Sequence, residues 1–235
     1  MSLLTMFTQV CPRIGLSVPN AVVTSQDSQI IDLLALANAE GEDLRGRYPW
    51  SAIVQESTFV TVAAESQGAI TTVAGASFDY ILNQTIWDRT LLRPVFGTLT
   101  PAQWQQLKAQ NVTGPWNQFR IRGGNLLFIP APSAGDTCAF EWVSKNFCQS
   151  SGGTGQSVWT ADTDTGLLSE DLMKLGLIWR WKAANSLEYA QDFDTYEGRV
   201  ADAMARDGGK QILSLDGYAA GIAPVVVIPS GSWTG

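Results

Sequence analysis

Acid–base chemistry in this chain would fall to carboxylates, because its 235 residues include no histidine. That absence removes Ser-His-Asp and Cys-His arrangements, His-ligated metals and the imidazole proton shuttle together. A glycosidase needs none of these, only two carboxyl groups set across the scissile bond. Glu40, Glu42 and Asp43 at the end of a helical segment, and Glu65 and Glu141 in a strand-rich block, are the nominal candidates. Against them stands the general rule that carboxylates sit on a solvated surface.

The other chemical motifs fail at defined positions. Ser150 to Ser157 (SSGGTGQS) suggests a phosphate loop, but Ser150 stands where that loop needs Gly, and Gln156 where it needs Lys. The stretch reads instead as a flexible connector. Asp162-Thr163-Asp164-Thr165-Gly166 resembles the opening of a calcium loop. The required sixth-position Gly and twelfth-position Glu are replaced by Leu167 and Met173, which leaves a polar loop before a helix. Cys11, Cys138 and Cys148 form no CxxC pair, and an odd, sparse set reads as reduced thiols. Asn83-Gln84-Thr85 and Asn111-Val112-Thr113 match the glycosylation sequon, which has no meaning in a cytosolic chain. No metal or cofactor is expected.

Fifteen basic residues against 22 acidic ones leave a net charge of −7, the wrong sign for a protein whose main task is gripping phosphates. Charged residues are 16% and apolar ones 45% of the chain, which argues for a folded protein. The apolar stretches Ile30 to Ala37 and Val225 to Ile228 fall far short of a bilayer span. The opening MSLLTMFTQVCPRIG has no basic region before its apolar residues, so synthesis and folding in the cytoplasm are expected. Nine tryptophans are many for this length. Trp104 and Trp179 fall on apolar helix faces, whereas Trp181 and Trp233 find no easy place in a single-chain core and suggest contact with another chain.

The elements that must position these residues follow from periodicity. Ile30, Leu34, Ala37 and Leu44 predict an amphipathic helix over 26–45, loosened near Gly41 and closed by Pro49. Thr, Val and Phe over 57–63 predict a strand, 68–77 a loop, and 78–92 further extended pieces. Thr100-Pro101 is a helix start, with Thr as N-cap and Pro at the first helical position. Phe119 to Arg122, Leu126 to Ile129 and Cys138 to Val143, separated by Gly- and Pro-rich turns, predict a three-stranded meander. Ser169 caps a helix carrying Leu172, Leu175, Trp179 and Ala183. A second helix carries Tyr189, Phe193, Tyr196, Val200 and Ala203 and ends at Asp207-Gly208-Gly209. The fold class is therefore α+β: an N-terminal helix and two C-terminal helices form a scaffold, with an antiparallel β-rich domain inserted between them and an extended C-terminal tail. The expected boundaries are 1–56 for an N-terminal arm and first helix, 57–148 for the β-rich domain, 149–209 for a linker and two helices, and 210–235 for the tail.

An ordered set of segments carries a resemblance. Ile86-Trp87-Asp88-Arg89, Leu99-Thr100-Pro101 with Trp104, Phe119-Arg120-Ile121-Arg122-Gly123, Pro130-Ala131-Pro132-Ser133-Ala134-Gly135 and Glu141-Trp142-Val143-Ser144 belong to it. So do Gly176-Leu177-Ile178-Trp179-Arg180-Trp181-Lys182 and Tyr189-Ala190-Gln191-Asp192-Phe193. Together they resemble the head-to-tail adaptor, or tail tubular, proteins of short-tailed bacteriophages, over Ile30 to about Gly209. The resemblance implies a non-enzymatic virion protein at the head–tail junction. It would form a ring, dodecameric in that family, that joins the portal protein to a tail nozzle or tube protein and lets double-stranded DNA pass without specific binding.

No membrane partner is implied. In such proteins C-terminal segments fasten the ring to the portal. Here Ile212, Leu213, Leu215, Val225, Val226, Val227 and Ile228 are the docking candidates, as a strand added to a neighbour's sheet. Glu188, Asp192 and Asp202 are expected to face the channel and repel phosphates, and Trp181 and Trp233 to lie between subunits. The rival expectations are a tail-associated cell-wall glycan hydrolase built on a carboxylate pair and a carbohydrate-binding module using surface Trp.

Overall fold

The structure of the protein, a computed structural model, describes residues 1–110, 114 and 116–208. It opens with α1 (Leu3–Val10), a helix that periodicity alone did not predict. Ser2 caps it by accepting from Thr5 N at 3.3 Å. Its first free N–H groups are satisfied from far along the chain, Leu3 N donating to Asp164 O at 2.8 Å and Leu4 N to Asp162 O at 3.1 Å. Leu3, Met6, Phe7 and Val10 are all buried, followed by Cys11 in a 3₁₀ turn at Cys11–Ile14.

Asp27 caps α2 (Ser28–Arg47), accepting from Gln29 N at 3.0 Å. The helix runs unbroken through Gly41, correcting the loosening expected there. Gly41 is where the Phe147 ring presses on the helix, and a Cβ would come within 2.4 Å of it. A 3₁₀ turn at Ser51–Ile53 leads into β1 (Val54–Val60). The expected loop at 68–77 is instead built from the end of β2 (Ser66–Ala69) and the single-turn α3 (Ile70–Val73), with Ile70 buried. There follow β3 (Phe78–Ile81), β4 (Trp87–Asp88) and β5 (Arg93–Pro94). The predicted start of α4 (Pro101–Gln110) is a reciprocal cap: Gln103 N donates to Thr100 Oγ1 at 3.3 Å, and Thr100 N to Gln103 Oε1 at 2.9 Å.

Next come β6 (Gln118–Arg122), β7 (Asn125–Ile129) and β8 (Thr137–Ser144), the three strands that the sequence places here. They do not form one meander. β6 and β7 make a hairpin that β2 extends into a three-stranded sheet. β8 leaves for a second sheet, pairing along its whole length with β1 from Val54↔Val143 to Val60↔Thr137. β3 and β4 also pair with β8, and β5 pairs with β4. Thr61 directs the crossing: its N–H donates to Asp136 O, its carbonyl accepts from Gly135 N, and its hydroxyl donates to Ser133 O at 2.6 Å.

The expected connector after Phe147 is likewise ordered. β9 (Cys148–Gln149) pairs with β10 (Gly155–Gln156) around a tight turn, and with β11 (Thr165–Gly166). The chain ends its described part with α5 (Glu170–Ala184) and α6 (Ala190–Asp207). The fold is α+β. One apolar core gathers α1, α2, α5 and α6, with Leu33, Leu44, Leu177 and Tyr196 at its centre. A second lies within the β-rich part around Phe119, Phe128, Phe140 and Trp142.

Candidate functional site

The three long helices meet at Glu40, whose side chain is completely buried. Gly176 on α5 makes the room, since a Cβ there would come within 2.1 Å of the carboxyl carbon. Tyr196 on α6 donates its hydroxyl to Oε1 at 2.6 Å, and Arg180 on α5 donates Nε–H to Oε2 at 2.5 Å. Arg180 also reaches Asp43 at 2.9 Å and lies 4.7 Å over the Trp179 ring. Arg47 bridges Asp43 at 3.0 Å and Glu197 at 2.7 Å. Burial pushes the Glu40 carboxyl up against the opposing pull of Tyr196 and Arg180, and burial and Glu40 push the Tyr196 hydroxyl up as well. With both oxygens occupied and no solvent contact, the arrangement ties three helices together.

The remaining motif residues also serve the fold. Asp162 accepts from Val22 N and Val23 N, the nearer contact at 2.8 Å. Asp164, buried, accepts from Thr160 N and Ala161 N at 2.8 Å each. These carboxylates satisfy backbone N–H groups where a calcium loop would present its oxygens to a cation. Ser150 N donates to Thr154 O at 2.8 Å and closes the β9–β10 turn. Glu65 is ion-paired with Lys108, while Glu141 stands opposite Glu56 in the β1–β8 register, with Glu56 paired to Arg89. The three thiols are buried, and burial pushes those of Cys138 and Cys148 up to about 12. Among the described residues no group of three or more His, Cys, Asp or Glu side chains is placed to hold a metal. No described helix is long and apolar enough to cross a membrane.

Only some of the residues that the resemblance singles out are among those described. Ile212, Leu213, Leu215, Val225, Val226, Val227, Ile228 and Trp233 lie outside the described residues. Trp181 is 5% exposed and belongs to the core of its own chain, correcting the reading that it lacks a place there. That reading took one apolar stripe on α5, whereas Leu172, Met173, Gly176, Leu177, Ile178 and Trp181 form a broader buried face. Glu188 precedes α6 and accepts from Ala190 N at 3.2 Å. Asp192 is ion-paired with Lys182, and Asp202 lies 3.7 Å from Arg206. Asp192 and Asp202 stand about 80° apart around the helix axis, and Glu188 lies before the helix begins.

Two surface features were not anticipated from the sequence. Asp202 borders a cavity of about 330 Å³ between α5 and α6 whose rim includes Arg13, Lys174, Arg199 and Arg206. Lys174, with smaller contributions from Arg199 and Arg13, holds the Asp171 carboxyl there below its ordinary value. The only sequence signal was the seven-residue spacing of Arg199 and Arg206, which repeats a helix face. The second feature is apolar: Trp87, Leu91, Leu92, Phe96 and Trp116 are all at least 40% exposed on the β-rich part, Leu92 by 79%. Phe96 and Trp116 pack edge to face at 5.9 Å. No protein-family model matches the chain, and no curated protein matches it either.

Proposed function

We propose that this chain is a structural, non-enzymatic protein of the phage virion: an adaptor that assembles as a ring, joins the portal to the tail and encloses the passage for DNA. The observation that carries the reading is the division of the surface. Glu40 and its partners seal the interior of the helical part, whereas the β-rich part keeps Trp87, Leu92, Phe96 and Trp116 in solvent. Large exposed apolar side chains that include a packed aromatic pair, Phe96 with Trp116, favour contact with another protein. The helical part then serves as the ring scaffold, and the β-rich part faces the next tail component. The net charge of −7 supports a conduit that does not retain DNA.

The test is the mass of the full chain, alone and mixed with the portal protein of the same phage, by native mass spectrometry. The expected result is a chain that joins the portal in a stoichiometry of about twelve. A chain that ignores the portal at every concentration overturns the reading.

A further inference from the structure

We propose that successive copies of this chain meet head to tail through the groove between α5 and α6, which receives the outward face of α2 from the next copy. The inference rests on the ring reading above and names the contact that would build it.

The groove has an apolar floor of Leu172, Leu175 and Ala203 and a cationic rim of Arg13, Lys174, Arg199 and Arg206. Two of these cations have local partners, Lys174 with Asp171 at 2.8 Å and Arg206 with Asp202 at 3.7 Å. Arg13 and Arg199 make no hydrogen bond or ion pair among the described residues. Asp171 and Asp202 line it as well, so four cations face two carboxylates, and on a chain of net charge −7 the groove keeps a positive excess. Its chemistry calls for an acidic segment that also offers something apolar to the floor.

The outward face of α2 has that character. Ser28, Asp32, Ala35, Ala39, Glu42 and Gly46 fall on one side of the helix, opposite the buried Ile30, Leu33, Ala37 and Leu44, and all six are exposed. Asp32 and Glu42 bracket the two alanines about 15 Å apart along the axis. Neither has an ion pair among the described residues. Ile31, beside Asp32, is 49% exposed. The small side chains allow a neighbouring helix pair to approach closely, and the flanking carboxylates meet the cationic rim. The contact is heterologous, one face of a copy against a different face of the next, which is the kind that closes into a ring by rotation.

Disulfide trapping and charge reversal test the contact together. All three native cysteines are buried, so their background is low. In the full chain with portal, Ala203→Cys combined with Ala35→Cys or Ala39→Cys is expected to give a ladder of covalent multimers on a non-reducing gel. Each single variant stays monomeric on that gel. Independently, Asp32→Lys with Glu42→Lys is expected to weaken assembly at least tenfold, and adding Arg199→Glu with Arg206→Glu to restore it. Rings that form by native mass spectrometry without a ladder and without sensitivity to charge reversal overturn this contact and leave the ring reading intact. Charge reversal in the groove that abolishes portal binding, with no ladder at either α2 position and no effect of Asp32→Lys with Glu42→Lys, assigns the groove to an acidic portal segment and also overturns it. A wild-type chain that never multimerises removes the ring reading and this contact with it.

Discussion

At the residue scale the most consequential side chain is Glu40, an acid placed where the period of α2 demands an apolar group. Its desolvation is offset by Arg180 and Tyr196, and Gly176 leaves it room, so removing it takes the acceptor from the buried Tyr196 hydroxyl and from Arg180 Nε–H, while Arg180 keeps Asp43. Glu40→Ala is expected to cost about 3–5 kcal/mol in urea unfolding. Glu40→Gln keeps an acceptor for Arg180 and turns an amide N–H toward the Tyr196 hydroxyl, which can accept it, so it is expected to cost much less. The two differ again in pH dependence. Burial raises the Glu40 carboxyl above the ordinary 4.5, so the folded chain keeps this proton where the unfolded chain has released it. Its contribution is complete below pH 4.5 and is lost as pH climbs through the raised value. Wild type should therefore lose stability relative to Glu40→Gln over that rise, and parallel curves would refute the assignment. In the sequence Glu40 reads as one of several acids closing a helix. Its spacing of three from Ala37 was the visible clue, but Arg180 and Tyr196 lie 140 and 156 positions away, beyond any local pattern.

At the scale of elements, two glycines of similar sequence appearance have opposite roles. Gly176 lies in α5 against Glu40, and a methyl group there would sit 2.1 Å from the carboxyl carbon. Gly198 in α6 has no atom within 4 Å of the same position. Gly198→Ala should stabilise by up to about 1 kcal/mol through helix propensity alone. Gly176→Ala should destabilise by about 1–3 kcal/mol, because the clash with a fully enclosed group outweighs the same propensity gain. Urea midpoints of the two variants check this, and a shift in the same direction for both would show that α2 and α5 are not held at this distance. Periodicity and caps made α2, α4, α5 and α6 legible, since each carries its own start signal or apolar stripe. α1 escaped because two turns with no charged residue offer little pattern, and its first N–H groups find their acceptors at Asp162 and Asp164. The meander failed for a related reason. β8 follows β7 in sequence, but its partner across the whole strand is β1, some eighty positions earlier.

At the scale of the whole molecule the question is whether the helical and β-rich parts behave as one body, as the proposed adaptor role requires. β8 answers it structurally, because it runs out of one core and ends in the other. Cys138, Phe140 and Trp142 point into the β-rich core, while Val143, with Phe147 and Cys148 just beyond, belongs to the helical one. The α6 end adds a second tie, Ser51 N donating to Asp207 Oδ2 at 2.7 Å just before β1 begins. β1 spans them likewise, with Val54 packed against the helical core and Phe59 against the β-rich one. Thermal or urea unfolding should thus be a single transition, coincident by far-ultraviolet circular dichroism and tryptophan fluorescence. The decisive form of the experiment weakens one core at a time. Phe128→Ala in the β-rich core should cost about 3–5 kcal/mol and Leu33→Ala in the helical core about 2–5 kcal/mol, and each should shift both probes together. If Phe128→Ala instead released the fluorescence change at lower denaturant while the helical signal held, the two parts would be separate folding units. The β-rich face would then hang from the scaffold as a hinged module, able to reorient on docking instead of presenting Trp87, Phe96 and Trp116 in a fixed direction.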